Sequence, residues 1–393
     1  MVALRARNPS EPGLPSQRGA ALWARGARVK IRGVRTGRKA WSRPIKRLLV
    51  VLPSWVGDFV MATPTLRALR QHFDEAEVVF LSRPLLGDLI DGGGWADEVV
   101  FWEPKGRHRG LPAVVRLAAR LRRRRFDGVV LLTNSFRSAL LARLAGIPRR
   151  LGYDRDRRGY LLTDRLAVQR VDGEIAVTRM VDYYGHLAEH LGCAWPGERL
   201  ELASDPASEA AVEKRLAGLG IAGGRPLVVI CPGASFGASK LWLPERFAAV
   251  GDRLGERHGA AVVISCAPGE EDIARHIGER METRGCVLDD PPTSLREFKS
   301  LIRRCDLLIN NDTGPRHVAK AFGVPVVTVF GPTHPGWTDT DYPLERRVSV
   351  EVDCGPCQKK VCPLDHRCMT GVTVEAVTAA AEELLAQRGA GVA

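Results

Sequence analysis

The sequence predicts an α/β protein built from two doubly wound domains that face a common cleft. Three observations carry this: short, wholly apolar runs recur along the chain, helix-length segments separate them, and the alternation breaks once near the middle. Runs without polar alternation suit strands covered by helices on both faces, and strand–helix alternation makes such strands parallel.

In chain order, residues 1–45 stand apart. Residues 1–47 hold 13 Lys/Arg against the single acid Glu11, which is +12 of the formal net charge of +13. With Pro12, Pro15 and no apolar periodicity, 1–45 reads as a disordered basic extension, or as a start codon placed too early. Its functional alternative is an arm touching acidic lipid headgroups. The body is then almost neutral, which argues against nucleic acid as a partner, since a binding face belongs on the folded body. No stretch approaches the roughly 20 apolar residues of a membrane span, and no secretory signal is present. The expected location is cytoplasmic, with peripheral contact at the inner face of the membrane as an option.

From Arg47, strands are expected at RLLVVLP (47–53), EVVFLS (77–82), EVVFWE (98–103) and DGVVLLTN (127–134), with helices over 59–72 and 111–125. The pattern fades in the Arg-rich stretch at 150–175, then a helix over 176–192 leads into a Pro/Gly/Ser segment. A boundary there divides 46–200 from 201–393. A second set follows at 226–234, 260–266, 286–290, 306–310 and 325–333, and the helix at 373–387 is expected to pack back across the pair. GLGIAG (218–223) matches a dinucleotide fingerprint by letters only, because it precedes a strand and opens no helix.

The chemistry gathers where strands end. NNDTGPRHVA (310–319) follows an apolar run and opens a helix, whose N-terminal N–H groups and partial positive charge favour phosphate; Asp312 as a helix cap is the plain alternative. Asp58, just past the first strand, is a candidate base or an N-cap. Ser235 and Lys240 lie in the small-residue loop CPGASFGASK (231–240), where Lys240 suits a phosphate or is a surface lysine. Glu270 is placed for a ribose or base, or as a first-turn helix acid.

Four ordered segments, PSWVGDFVMATP, TNSFRSALLARLAGIPRRLGY (133–153), CPGASFGASKLW and NDTGPRHVAKAFGVPVVTVFGPTHP (311–335), resemble the bacterial ADP-heptose–lipopolysaccharide heptosyltransferases of glycosyltransferase family 9, especially the heptosyltransferase II branch. The resemblance spans about 47–388. It implies a GT-B fold of two Rossmann-like domains, the acceptor in the first and the ADP-sugar donor in the second. It also implies an inverting, metal-independent transfer of heptose to the inner core of lipopolysaccharide, with no cofactor required.

Carried over residue by residue, Asp58 is similar to the family's general base and Lys240 to its phosphate-binding lysine, with Ser235 as a nearby donor. Thr313 and Gly314 match the diphosphate cradle, Asp312 shapes that turn, His317 points toward the reaction centre, and Glu270 aligns with the ribose-contacting glutamate. An anionic acceptor makes Arg137, Arg149 and Arg150 candidate contacts, against the alternative of a solvated basic surface.

Cys354, Cys357, Cys362 and Cys368 follow a C-x2-C-x4-C-x5-C spacing with His366 inside, as a structural zinc site would; reduced, buried thiols are the alternative. Two other function classes remain. A nucleotide-sugar epimerase would act without acceptor, and a nucleic-acid binder would depend on the first 45 residues with a steep salt response.

Overall fold

The computed structural model describes residues 41, 44–103, 106, 109–221, 223–283 and 285–390; most of the basic extension lies outside the described residues. Two six-stranded parallel sheets with identical winding organise the chain. The first holds β1 (Arg47–Val51), β2 (Glu77–Ser82), β3 (Glu98–Phe101), β4 (Gly128–Leu131), β5 (Arg149–Asp154) and β6 (Asp164–Ala167), in the order β3-β2-β1-β4-β5-β6. Its central register pairs Val50 with Phe80 on one side and with Val130 on the other. Strand residues alternate between two cores, as the pleat requires. Leu48 and Val50 point into the core shared with α1 (Val56–His72) and, beyond the small hairpin β7–β8 (Arg170–Val171 and Glu174–Ile175), α5 (Met180–His190). Leu49 and Val51 point toward α3 (Leu111–Arg123) and α4 (Phe136–Leu144), and a short α2 (Gly87–Ile90) follows β2.

After α6 (Pro206–Gly218), the second sheet repeats the plan with β9 (Leu227–Cys231), β10 (Ala261–Ser265), β11 (Cys286–Leu288), β12 (Leu307–Asn311), β13 (Val326–Val329) and β14 (Glu345–Val348), in the order β11-β10-β9-β12-β13-β14. Its helices are α7 (Pro244–His258), α8 (Glu271–Arg280), α9 (Leu295–Arg304), α10 (Gly314–Ala321), the short α11 (Arg367–Thr370) and α12 (Val374–Ala390). Helix α1 packs against α10, and one apolar core runs from Phe59 in the first half to Val318 and Leu308 in the second. Among the described residues, no helix is long and apolar enough to cross a membrane.

The structure corrects four expectations. The stretch 150–175 contains β5, β6 and the hairpin, hidden by arginines whose charge is absorbed locally. Buried Arg150, for instance, donates to the carbonyls of Leu161 and Ile147. Strand β14 reads as polar (ERRV) because Glu345 and Arg347 serve a buried ion network. The last helix packs on α7, β12, β13 and β14 of the second domain and so does not bridge the pair. Trp41 and Ile45, assigned to the extension, pack on the first domain, where the Trp41 indole donates to Asp164 at 3.3 Å.

Candidate active site

Doubly wound sheets open a crevice where the strand order reverses, between β1 and β4 in the first sheet and between β9 and β12 in the second. Asp58 follows β1, Ser235 and Lys240 follow β9, and Asp312, Thr313 and Gly314 follow β12. The same topological rule, applied twice, thus sends the singled-out loops to two facing crevices. The two helix starts meet closely. A Cβ at Gly57 would lie 3.0 Å from His317 Cδ2, and one at Gly314 would lie 3.0 Å from Val56. Glycine at both positions lets the N-terminus of α1 approach that of α10.

Asp58 sits in the first turn of α1, whose N-cap is Trp55 with no side-chain capping bond, so Asp58 is not the cap. Its Oδ1 accepts a hydrogen bond of 3.3 Å from the hydroxyl of Tyr184 on α5. The residue is only partly exposed. Burial raises its pKa from 3.8 to about 6, opposed by the Tyr184 bond and the Lys240 charge. Tyr184 is itself buried; burial and the neighbouring carboxylate hold its pKa well above 10, so it stays a donor.

Across the crevice, Lys240 Nζ donates to Asp312 twice, at 2.7 Å to Oδ2 and 2.8 Å to the carbonyl. Asp312 Oδ2 also accepts from Thr333 (2.6 Å), and Oδ1 accepts from Arg316 (2.7 Å). Burial would raise this carboxyl, but Arg316 and Lys240 prevail and hold it at about 2. Asp312 is therefore the hub of an ion cluster, and the cap position of α10 belongs to Thr313, which makes no side-chain cap. Arg316 continues to Glu345, which also takes Lys320 and Arg347. Burial and Arg316, against Glu345, bring Lys320 down to about 7. His317 is buried among these cations; desolvation first, then Arg316 and Lys320, push its pKa well below 6.5, and its Nδ1 has no hydrogen-bond partner.

Glu270 occupies the N-cap position of α8, accepts from the Ala267 N–H at 3.2 Å, and lies directly beneath the loop after β9, where a Cβ at Gly233 would overlap its carboxylate. Burial raises its pKa. Ser235 is exposed on that loop. Asn311 fixes the loop from below, donating to the Pro232 carbonyl at 2.6 Å and accepting from Trp242 N–H at 3.2 Å.

The candidate acceptor arginines separate. Arg137 lies exposed at the start of α4, on the crevice edge. Arg149 and Arg150 open β5 at the opposite edge of the sheet, Arg149 over the Trp41 ring and Arg150 bound to backbone carbonyls, so neither lines the crevice. The four spaced cysteines, together with His366, line one cavity of about 60 Å³. Among the described residues no group of three or more His, Cys, Asp or Glu is arranged to hold a metal ion. This segment also grips the Lys240 loop: Ser239 donates to the carbonyls of Lys360 (3.1 Å) and Lys359 (2.6 Å), and His366 Nε2 lies 2.6 Å from the Ser239 carbonyl.

Sequence reasoning missed Arg316, Thr333, Glu345 and Tyr184. Arg316 and Thr333 stand inside the quoted NDTGPRH and GPTHP segments, and Arg316 is four residues from Asp312, a spacing that brings helix-start side chains together. Nothing local marks Tyr184 or Glu345, which reach the site through tertiary packing.

The glycosyltransferase family 9 (heptosyltransferase) model matches residues 114–367, well over half of the chain. The chain belongs to this family. This glycosyltransferase is 30% identical over 324 residues to lipopolysaccharide heptosyltransferase 2 of Escherichia coli K12, covering 77% of the chain and 87% of that relative. It is 23% identical over 360 residues to lipooligosaccharide heptosyltransferase 2 of Campylobacter jejuni, covering 86% and 98%. In structure it is similar to the glycosyl transferase family 9 protein of Veillonella parvula (TM-score 0.75, 23% identity, covering 87% and 97%). The E. coli ADP-heptose lps heptosyltransferase II gives a TM-score of 0.70 at 25% identity, covering 87% and 99%. The fold is the GT-B arrangement of those neighbours.

Proposed function

We propose that this glycosyltransferase moves a heptose from ADP-heptose to the inner core of lipopolysaccharide, by a single inverting displacement at the inner face of the membrane. The observation that carries the reading is the juxtaposition across the cleft of a half-buried carboxylate, Asp58, with a lysine–aspartate pair at the N-terminus of α10.

Asp58 acts as general base on the acceptor hydroxyl. A pKa near 6 makes it a stronger base than an ordinary carboxylate while leaving it mostly ionised at neutral pH. Lys240 turns from Asp312 to the leaving diphosphate. Asp312 tolerates the loss because Arg316 and Thr333 still hold its two oxygens. Thr313 and Gly314, where α10 begins, present N–H groups to the same phosphates. His317, held neutral, lends its unpartnered Nδ1 to a donor hydroxyl. Glu270, beneath Gly233, contacts the ribose, Ser235 serves as a further donor from the loop, and Arg137 meets the anionic acceptor. The positive field for the departing ADP comes from the lysine and the helix terminus, with no divalent ion required.

Incubation with a panel of ADP- and UDP-sugars and a lipid-free inner-core acceptor tests the reading. ADP release that requires acceptor, with ADP-heptose preferred and turnover insensitive to chelator, is expected; NMR of the product reads inversion. Conversion of the nucleotide-sugar without acceptor would make the protein an epimerase.

A further inference from the structure

Exposed large apolar side chains of the first domain are not scattered. Trp55 follows β1, Leu85 follows β2, Phe101 ends β3, and Leu111 starts the helix after it. Phe136 follows β4, and Tyr160 follows β5. The sheet is parallel, so all six stand at its carboxyl edge, the edge that bears the crevice. Their exposure runs from 38% at Phe101 to 70% at Tyr160. Among the described exposed apolar residues of this domain, Val115 within α3, Leu144 at the far end of α4 and Val171 in the hairpin lie outside this set. A ring of side chains of this size held in water needs a reason, since singly scattered exposure is ordinary but a clustered rim is not.

Charge says what covers it. Arg83, Arg109, Arg137 and Arg157 lie on the same loops, and α3 and α4, which rise from this edge, contain no acid. Acids on these loops include Glu103 after β3 and several that face cations of their own: Asp91 pairs with Arg296, Asp154 lies 3.7 Å from Arg165, and Asp156 lies 3.6 Å from Arg155. Apolar tips interleaved with arginines match the interface of an anionic bilayer, where rings and aliphatic chains enter the headgroup layer and guanidinium groups meet phosphates.

We infer that the carboxyl edge of the first domain is a membrane-seating rim, which sets the acceptor half of the cleft at headgroup level on an anionic phospholipid surface. This rests on the reading above of a lipid-borne acceptor. It explains why most of the exposed large apolar side chains of this domain gather at the crevice edge.

The test is co-sedimentation of the full chain with vesicles of mixed phosphatidylglycerol and phosphatidylcholine, alongside turnover on lipid-free acceptor. The triple variant Leu85→Ser, Leu111→Ser, Tyr160→Ser should bind these vesicles at least about tenfold more weakly, with unchanged melting temperature and unchanged soluble turnover. Phosphatidylcholine vesicles should bind the parent poorly. A change of less than twofold in the triple variant overturns the rim, as does binding that vanishes on deletion of residues 1–40 alone. Absence of turnover on any soluble acceptor would strike the functional reading without touching the vesicle result.

Discussion

Replacing Asp58 with Asn separates catalysis from stability in opposite directions. The carboxyl rises from 3.8 in the unfolded chain to about 6 in the folded protein. The native state therefore binds the proton more tightly, and stability is fully present below pH 4 and declines as pH rises through 6. That difference corresponds to about 3 kcal/mol, an upper figure because Asp58 keeps partial exposure to water. Asn carries no charge, and its carbonyl still accepts the Tyr184 bond. At pH 8, Asp58→Asn should thus be more stable than the parent by about 1–3 kcal/mol, and the gain should shrink toward zero at pH 4. Turnover at saturating donor and acceptor should fall about 10²–10⁴-fold, the usual loss on removing a general base. The assays are denaturant melts at the two pH values and kcat at pH 8. Near-normal kcat would refute the catalytic role, and lower stability at pH 8 would show that the ionised carboxylate supports α1 more than its burial costs.

Lys240→Ala should reduce kcat more than it raises the donor KM, because the charge it meets is largest on the leaving diphosphate, whereas Thr313→Val should weaken ADP binding itself; purely KM effects from both would reduce Lys240 to a binding contact. Tyr184→Phe removes the bond that opposes the rise in the Asp58 pKa, so the acidic limb of kcat/KM should move upward by roughly 0.5–1 pH unit, with a modest loss at pH 8.5. An unmoved limb would place Tyr184 outside the proton chemistry. His366→Asn tolerates the left-handed backbone at that position (φ 61°) but is too short to reach the Ser239 carbonyl, so the donor KM should rise several-fold while the acceptor KM stays put. Equal changes in both would mean a general loosening of the domain.

The sequence by itself determined the fold class. Runs such as LLVV and LVVIC leave no polar face to water, so helices must cover both sides of the strands they form. It also placed Asp58, Lys240 and the Asp312–Gly314 turn just after strands, as the structure has them, because loops after strands are local features with their own composition. Elements whose polar residues are neutralised by distant partners were illegible. Strand β5 hides behind Arg149, which lies over the Trp41 ring, and Arg150, which is bound to carbonyls, and β14 hides behind a glutamate whose cations come largely from α10. The same locality left open where Arg149 and Arg150 sit, at the start of β5 and away from the crevice, since an arginine run says nothing about which end of a strand faces the cleft. What only tertiary structure decided is the electrostatics of the site. The carboxylates of Asp58 and Asp312 follow strands of two similar sheets, yet one is raised by burial with a lone phenol as its hydrogen-bond donor, while the other is held low by Arg316 and Lys240. Protonation depends on the charges and hydrogen-bond donors around a group, and those arrive from residues distant in the chain, as Tyr184, 126 positions from Asp58, and Lys240, further still, do for Asp58.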